Sequence, residues 1–415
     1  MRPTAALLRH AEAALREMLE FAAPADQTLS RYFRNHRELG QRDRAFVAEA
    51  AFAVLRRRRS LEAAAGSAAA DGLLVAALLR VLGLSGRALE GLADPELVRR
   101  IRAAASDALP DAVRADLPDW LWQRLETAHG RDEAMRIAQG LLNPAPLDLR
   151  ANLARSGRDE VIGRLKKDGI ECAATPYSPA GVRLAGKPAI NHHELFRKGL
   201  IEVQDEGSQL LAWLTAPRRG EMVADYCAGA GGKTLALAML MRGSGRIYAM
   251  DVSAKRLAAL APRAARAQMS NIHPVALSGD NDARAKRLAG KLDRVLVDAP
   301  CSGFGTLRRN PDLKWRHGAD AVAELAQKQR GILKAAARLV KPGGRLVYAT
   351  CSILHDENEA VADGFAAAHS EFKPVSCASL LAAHKIALDT GERLRIWPHV
   401  HHTDGFFAAA FERAS

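Results

Sequence analysis

Residues 222–234 read Met222-Val-Ala-Asp225-Tyr226-Cys227-Ala228-Gly229-Ala230-Gly231-Gly232-Lys233-Thr234, and the fold of the chain turns on that stretch. The apolar run Met222 to Tyr226 predicts a strand, and Lys233 to Met241 predicts a helix beyond its carboxyl end. Glycines between them let the backbone turn tightly and approach a ligand closely, while the helix N-terminus offers unpaired N–H groups. Two common nucleotide motifs are excluded. A P-loop needs Gly six positions before the Lys, where this sequence has Cys227. The dinucleotide pattern G-x-G-x-x-G fails too, because Thr234 stands where the third glycine belongs.

The same alternation continues downstream. Arg246 to Met250, Val275 to Leu277, Leu292 to Val297 and Arg345 to Ala349 read as strands, with helices at Ala254 to Gln268 and Ala321 to Leu339. This predicts a parallel sheet covered on both faces, a Rossmann-like α/β domain over residues 207–415. Ligands of such sheets bind beyond the carboxyl ends of the strands. The second strand ends in Asp251, placed to accept hydrogen bonds from ribose hydroxyls. Asp280 follows the third, where an adenine edge is within reach. The fourth ends in Asp298-Ala-Pro-Cys301-Ser-Gly and the fifth in Ala349-Thr-Cys351-Ser. In the usual strand order these two ends are neighbours, so two thiols and a carboxylate meet beside the glycine turn. A lone Cys is ordinarily a small buried hydrophobe; two at adjacent strand ends, one preceded by Asp-x-Pro, point to chemistry. Cys227, Cys301 and Cys351 lack the regular spacing of a metal site, and the histidines at 192–193 and 399–402 read as surface loops, so no metal is expected.

Residues 1–140 read as helix after helix. Leu7, Leu8, Ala11, Leu15, Met18 and Leu19 recur at helical spacing, as do Phe46, Ala50, Ala53 and Val54. Leu73 to Leu84 is apolar nearly all round, as a helix at a bundle centre should be, and is too short to cross a bilayer. Asn143-Pro-Ala-Pro146 breaks the pattern. Beyond it a strand at Leu147 to Asn152, a helix at Asp159 to Lys167 and a strand at Gly181 to Leu184 make a small α+β, RRM-like subdomain over 141–206.

Lys and Arg outnumber Asp and Glu by 60 to 47, a formal charge of +13. Such a surplus favours a polyanionic partner through counterion release. Arg31, Arg34, Arg37, Arg42 and Arg44, then Arg56 to Arg59, gather in the first domain, as an RNA contact or as a solvated helix face. Five scattered cysteines suit a reducing cytoplasm and exclude a disulfide framework. Arg9, Glu12 and Arg16 interrupt the N-terminal apolar residues, against a signal peptide. A cytoplasmic monomer with no membrane contact is expected.

Four blocks carry a resemblance: Cys227 to Thr234; Asp298 to Gly303 followed by Arg309-Asn-Pro-Asp-Leu-Lys314-Trp315; Tyr348-Ala-Thr-Cys351-Ser; and Val203-Gln-Asp-Glu-Gly-Ser208. In order and spacing, from about Leu147 to Asp404-Gly-Phe-Phe407, they resemble the NOL/NOP/Sun family of RNA cytosine-5 methyltransferases. The first domain resembles, by pattern and position, the NusB-like RNA-binding domain of the bacterial RsmB-like branch, which acts on 16S ribosomal RNA. Ala230 stands where many relatives have Pro, which changes the stiffness of the turn and not its ligand.

The resemblance implies that S-adenosylmethionine is held by Cys227, Ala228, Gly229, Ala230, Gly231, Gly232, Lys233, Asp251, Asp280 and Asp298. It implies Cys351 as nucleophile, Cys301 as the thiol that helps release product, and Asp298 as the group that orients the base. The chemistry fits: C5 of cytosine is a poor nucleophile until a thiolate adds to C6 and makes C5 enamine-like. From the residues alone the two thiols are equivalent; their ranking is the family's. Arg308, Arg309 and Lys314, just after Cys301, are placed to touch RNA phosphate, and Trp315 to stack on a base or pack in the core. The target base is expected unpaired or flipped, so that a thiol can reach C6. Two rivals remain: transfer RNA as substrate, and a non-catalytic RNA-binding or ribosome assembly factor on the same fold. Retention of both thiols and every acid weighs against the second.

Overall fold

Local signals start the N-terminal helices. The Thr4 hydroxyl accepts from the Leu7 N–H at 3.2 Å to cap the helix Ala5–Leu19, and Asp94 with Pro95 opens the helix Pro95–Ala103. The first helix buries Leu7, Ala11, Ala14, Leu15 and Met18 on one face. It packs with the helix Gln41–Arg56 around the helix Ala70–Arg80, in which every residue from Gly72 to Leu78 is buried. The computed structural model describes residues 3–105, 108–279 and 282–415.

The chain forms two compact units. One comprises residues 1–144 together with 306–319; the other, residues 145–305 and 320–415. The division expected from sequence differs in two respects: 306–319 leave the α/β part, and the small subdomain forms one unit with the large sheet. Specific bonds explain the first. Asp312 accepts from the Ala25 N–H at 3.2 Å, capping the helix Ala25–Asn35 in place of its own Pro24. Trp315 donates to Leu55 O at 2.8 Å, Lys314 to Arg56 O at 2.8 Å, and Arg308 to Asn143 O and Pro144 O at 3.3 and 3.1 Å.

These contacts correct the expectation that Arg308 and Lys314 meet RNA phosphate, because both side chains are buried in the helical unit, 7% and 2% exposed. Trp315 likewise spends its N–H on the helix rather than presenting it to a base. Arg309 is partly exposed. Burial pushes the Lys314 ammonium down to about 7 against the pull of Asp116, itself pushed up by burial. The folded chain therefore holds that proton less tightly than free lysine, at 10.5. The penalty is full below pH 7 and fades as pH rises towards 10.5, so stability rises across that window. Lys314→Met is expected to flatten this rise, with a change of roughly 5 °C in melting temperature between pH 7 and 10. It should leave the salt dependence of RNA affinity unchanged. A shallower salt slope in the variant would restore the phosphate contact.

In the second unit, β1 (Leu147–Ala151), β2 (Cys172–Ala174), β3 (Gly181–Leu184) and β4 (Ile201–Val203) form an antiparallel sheet in the order β2-β3-β1-β4. Helices Arg158–Lys167 and Glu194–Arg197 complete a βαββαβ, ferredoxin-like arrangement. The eight remaining strands are β5 (Met222–Asp225), β6 (Arg246–Asp251), β7 (Ile272–Ala276), β8 (Leu292–Asp298), β9 (Val340–Thr350), β10 (Phe372–Val375), β11 (Leu394–Ile396) and β12 (Phe406–Arg413). They run in the order β10-β12-β9-β8-β5-β6-β7, with β11 paired to β12. β7 to β9 in that order are parallel, and β12 is antiparallel to both β9 and β10.

Two sequence-based boundaries moved for identifiable reasons. β7 begins three residues earlier than the expected 275–277, because Pro274 breaks the apolar run but is tolerated on an edge strand. The expected helix 254–268 is two helices, Ala254–Ala258 and Leu260–Ala267. Pro262 has no N–H for the carbonyl of Ala258, and its ring crowds it. Among the described residues no single helix is long and apolar enough to cross a membrane.

Candidate active site

β5, β8 and β9 bring the candidate chemistry together because they are parallel neighbours. Asp225 pairs with Leu296 of β8, and Asp298 pairs with Ala349 of β9, so the two thiol-bearing turns leave the sheet side by side. Cys301 Sγ and Cys351 Sγ lie 3.4 Å apart, both partly exposed. The hydrogen bond to Cys351, then burial, then the charges of Cys351, Glu357 and Asp298 push the Cys301 thiol well above its ordinary range.

Asp298 is 26% exposed and pairs with Lys233 Nζ at 2.7 Å. Burial alone would depress this ammonium, but Asp298 outweighs it and the net shift is upward. Lys233, expected as a cofactor residue, thus stands between the glycine turn and the carboxylate beside the thiols, with Phe406 under its ammonium at 5.6 Å.

The glycine turn is shaped by its neighbours. Gly229 and Gly231 have φ of 56° and 84°, and a Cβ on Gly231 would lie 2.1 Å from Leu260 Cδ1. Asp251 at the end of β6 accepts from the Gly229 N–H and the Ser253 N–H, each at 2.8 Å, which fixes the turn beside its carboxylate. Asp225 is fully buried, accepts from Thr234 Oγ1 at 2.7 Å, and has its other oxygen unpartnered. Burial pushes it up to about 7, helped by Asp298 and Asp251 and opposed by Thr234 and Lys233. The Cys227 thiol is raised by burial and then by Asp298, Asp225 and Asp251. Three carboxylates converge on one turn. Asp280 lies outside the described residues, and Ala228, Ala230 and Gly232 contribute turn backbone.

Sequence reading left the block at 203–208 without a role, and the structure supplies one. Glu206 is fully buried and accepts from the Tyr177 and Ser178 N–H groups at 2.6 and 2.7 Å. Asp205 caps its helix at Gly207 and accepts from the Asp404 N–H at 3.2 Å. Arg150 donates to Gln204 and to Gly232 O, tying β1 to the glycine turn. Gly305 donates to Cys351 O and accepts from Gly405, each at 2.8 Å; a Cβ on Gly305 would lie 2.1 Å from Gly405 O. The C-terminal Asp404-Gly-Phe-Phe407 block therefore closes against the thiol turns. Sequence reading also missed Gln329, Glu357 and Asn358, which sit among the polar runs 327–330 and 355–359 and carry no local signal.

Two family models match. One, 16S rRNA methyltransferase RsmB/F, covers residues 212–412; the other, an RsmF/B-like ferredoxin-like domain, covers 117–191. A probable ribosomal RNA small subunit methyltransferase B from Synechocystis sp. is 38% identical over 299 residues, 72% of this chain and 67% of the relative. The Bacillus subtilis protein of the same description is 34% identical over 328 residues, 76% of this chain and 72% of the relative. The crystal structure of PH0851 matches with a TM-score of 0.80 at 27% identity, covering 100% of both chains.

Proposed function

Because the chain belongs to the RsmB/F family of 16S rRNA methyltransferases, we propose that it transfers a methyl group from S-adenosylmethionine to C5 of a cytosine in 16S ribosomal RNA through a covalent cysteine adduct. The observation that carries the reading is the thiol pair, 3.4 Å apart, beside the Asp298–Lys233 ion pair.

The donor set suits the cofactor. Asp251 and Asp298 place acceptor carboxylates beside the turn, and Asp251 ends the strand from which ribose hydroxyls are bound. S-adenosylmethionine, when bound, supplies the electrophilic methyl. Residues Cys227 to Lys233 line its turn, and Asp280 stands after β7 in the sequence, where the adenine is read.

Cys351 adds as thiolate to C6, breaking the ring's aromaticity and making C5 nucleophilic. Asp298, ion-paired to Lys233, accepts a hydrogen bond from the amino group of the base and so orients the ring for attack. Once C5 carries the methyl group, Cys301, having lost its own proton to solvent, takes the C5 proton as thiolate, the C6–S bond breaks, and Cys351 leaves as thiolate. The proton affinity that Cys301 gains from its hydrogen bond with Cys351, and then from burial, suits this last role. The helical unit serves as a NusB-like RNA-binding domain. Its exposed Arg34, Arg37 and Arg42 supply phosphate contact in place of the buried pair. The protein works as a cytoplasmic monomer on RNA being assembled into ribosomes.

The test is to map 5-methylcytosine by bisulfite sequencing in RNA from cells with and without the gene. Loss at one position of 16S RNA is expected. Loss in transfer RNA instead would move the substrate, and no loss anywhere would sink the activity. By calorimetry, Asp251→Ala should weaken S-adenosylmethionine binding by roughly tenfold, the order of one charge-assisted hydrogen bond. Undiminished binding would remove Asp251 from the cofactor site.

A further inference from the structure

We propose that Glu357 is the positioning residue that holds the two thiols in reacting register, an inference that rests on Cys301 and Cys351 being the reacting pair.

Glu357 is fully buried, and its carboxylate lies between the two thiol-bearing turns. One oxygen accepts from the Ser302 N–H at 2.8 Å and from Gln329 Nε2 at 3.0 Å. The other lies 2.5 Å from both Ser302 Oγ and Ser352 Oγ, which are themselves 3.2 Å apart. Ser302 follows Cys301 and Ser352 follows Cys351, so one carboxylate grips the residue after each thiol. The grip is braced from behind. Tyr348 donates to Glu357 O at 2.5 Å, and Gln329 donates also to Pro300 O at 3.0 Å, the residue before Cys301. The next residue, Asn358, donates to Ser352 O at 3.0 Å and accepts from Thr350 Oγ1 at 2.5 Å, closing on both sides of Cys351.

A fully buried carboxylate is costly unless its acceptor capacity is satisfied, and an apolar side chain would fill the same space without that cost. Among the described residues, every donor to the acid belongs to one of the two thiol turns or to the Gln329 that braces them. The arrangement therefore fixes sulfur–sulfur geometry, where a misplacement of about 1 Å costs on the order of a hundredfold in rate. The acid also acts electrostatically. With Cys351 and Asp298, it is one of the charged groups facing Cys301 that raise its proton affinity.

The test uses the full-length protein with substrate RNA and S-adenosylmethionine. Glu357→Gln keeps the volume and removes the charge; Ser352→Ala removes one donor and leaves the acid in place. Single-turnover rates, KM for RNA and cofactor, and site-resolved alkylation of both cysteines by iodoacetamide against pH are compared with wild type. Glu357→Gln is expected to lower kcat by roughly 10- to 100-fold with both KM values within about twofold. The alkylation midpoint of Cys301 should move to lower pH. Ser352→Ala should shift kcat in the same direction by less, and carries the test alone if Glu357→Gln does not fold. An unchanged kcat in the folded variants, a fall matched by equal losses of cofactor and RNA affinity, or a stationary Cys301 midpoint overturns the proposal. If wild type itself transfers no methyl group, the proposed reaction fails separately, and the alkylation midpoint still decides the coupling of Glu357 to Cys301.

Discussion

Cys351→Ala is expected to lower methyl transfer by roughly a thousandfold or more and to form no covalent complex with RNA, while Cys301→Ala accumulates that complex. The order of bond-making dictates the contrast. Without the Cys351 sulfur nothing adds to C6, C5 stays aromatic, and the reaction does not start. Without the Cys301 sulfur the first bond still forms and the methyl group still arrives, but the C5 proton has no acceptor and the C6–S bond persists. The trapped species should appear as a denaturant-resistant protein–RNA band that requires S-adenosylmethionine. The 3.4 Å separation of the sulfurs makes the experiment discriminating, since either one could reach the same base. Trapping by Cys351→Ala and inertness of Cys301→Ala would exchange the roles, and normal methylation by both variants would exclude the covalent path.

Asp298→Asn should lower single-turnover methyl transfer by roughly 100-fold, the order lost when a reacting group is misplaced by about 1 Å. The substitution keeps the shape of the side chain and removes two things at once. On the proposed mechanism the base loses the carboxylate that orients it, and Lys233 loses the counter-charge that outweighs its burial. Cofactor affinity should change by less than about tenfold, because Asp251 and the turn backbone remain. Lys233→Met gives the companion measurement. If the ion pair matters chiefly by placing Asp298, that variant should also lose rate while the cofactor still binds. A wild-type rate from Asp298→Asn would remove the carboxylate from the chemistry and leave it a structural partner of Lys233.

Local and periodic features were legible in the sequence: the glycine turn after a strand, the acids and thiols at strand ends, the helical bundle before Pro144, and the breaks between them. These depend on propensity, turn stereochemistry and spacing, which neighbouring residues along the chain carry. The expectation that the Asp298 and Ala349 strand ends are neighbours needed only the usual parallel order, and β8 and β9 have it. What tertiary structure alone decided depends on partners far apart in the chain. Arg308 and Lys314 read as exposed cations because nothing nearby in sequence announces their acceptors, Pro144 O and Arg56 O, more than 160 residues away. Glu357 carried no signal because one acid among the polar residues 355–359 does not show whether donors will surround it. Its four bonds come from Ser302, Gln329 and Ser352, which converge only when β8 and β9 lie side by side. Solvation decides the difference: a charge is ordinary in water and informative when buried, and burial is a property of the assembled fold.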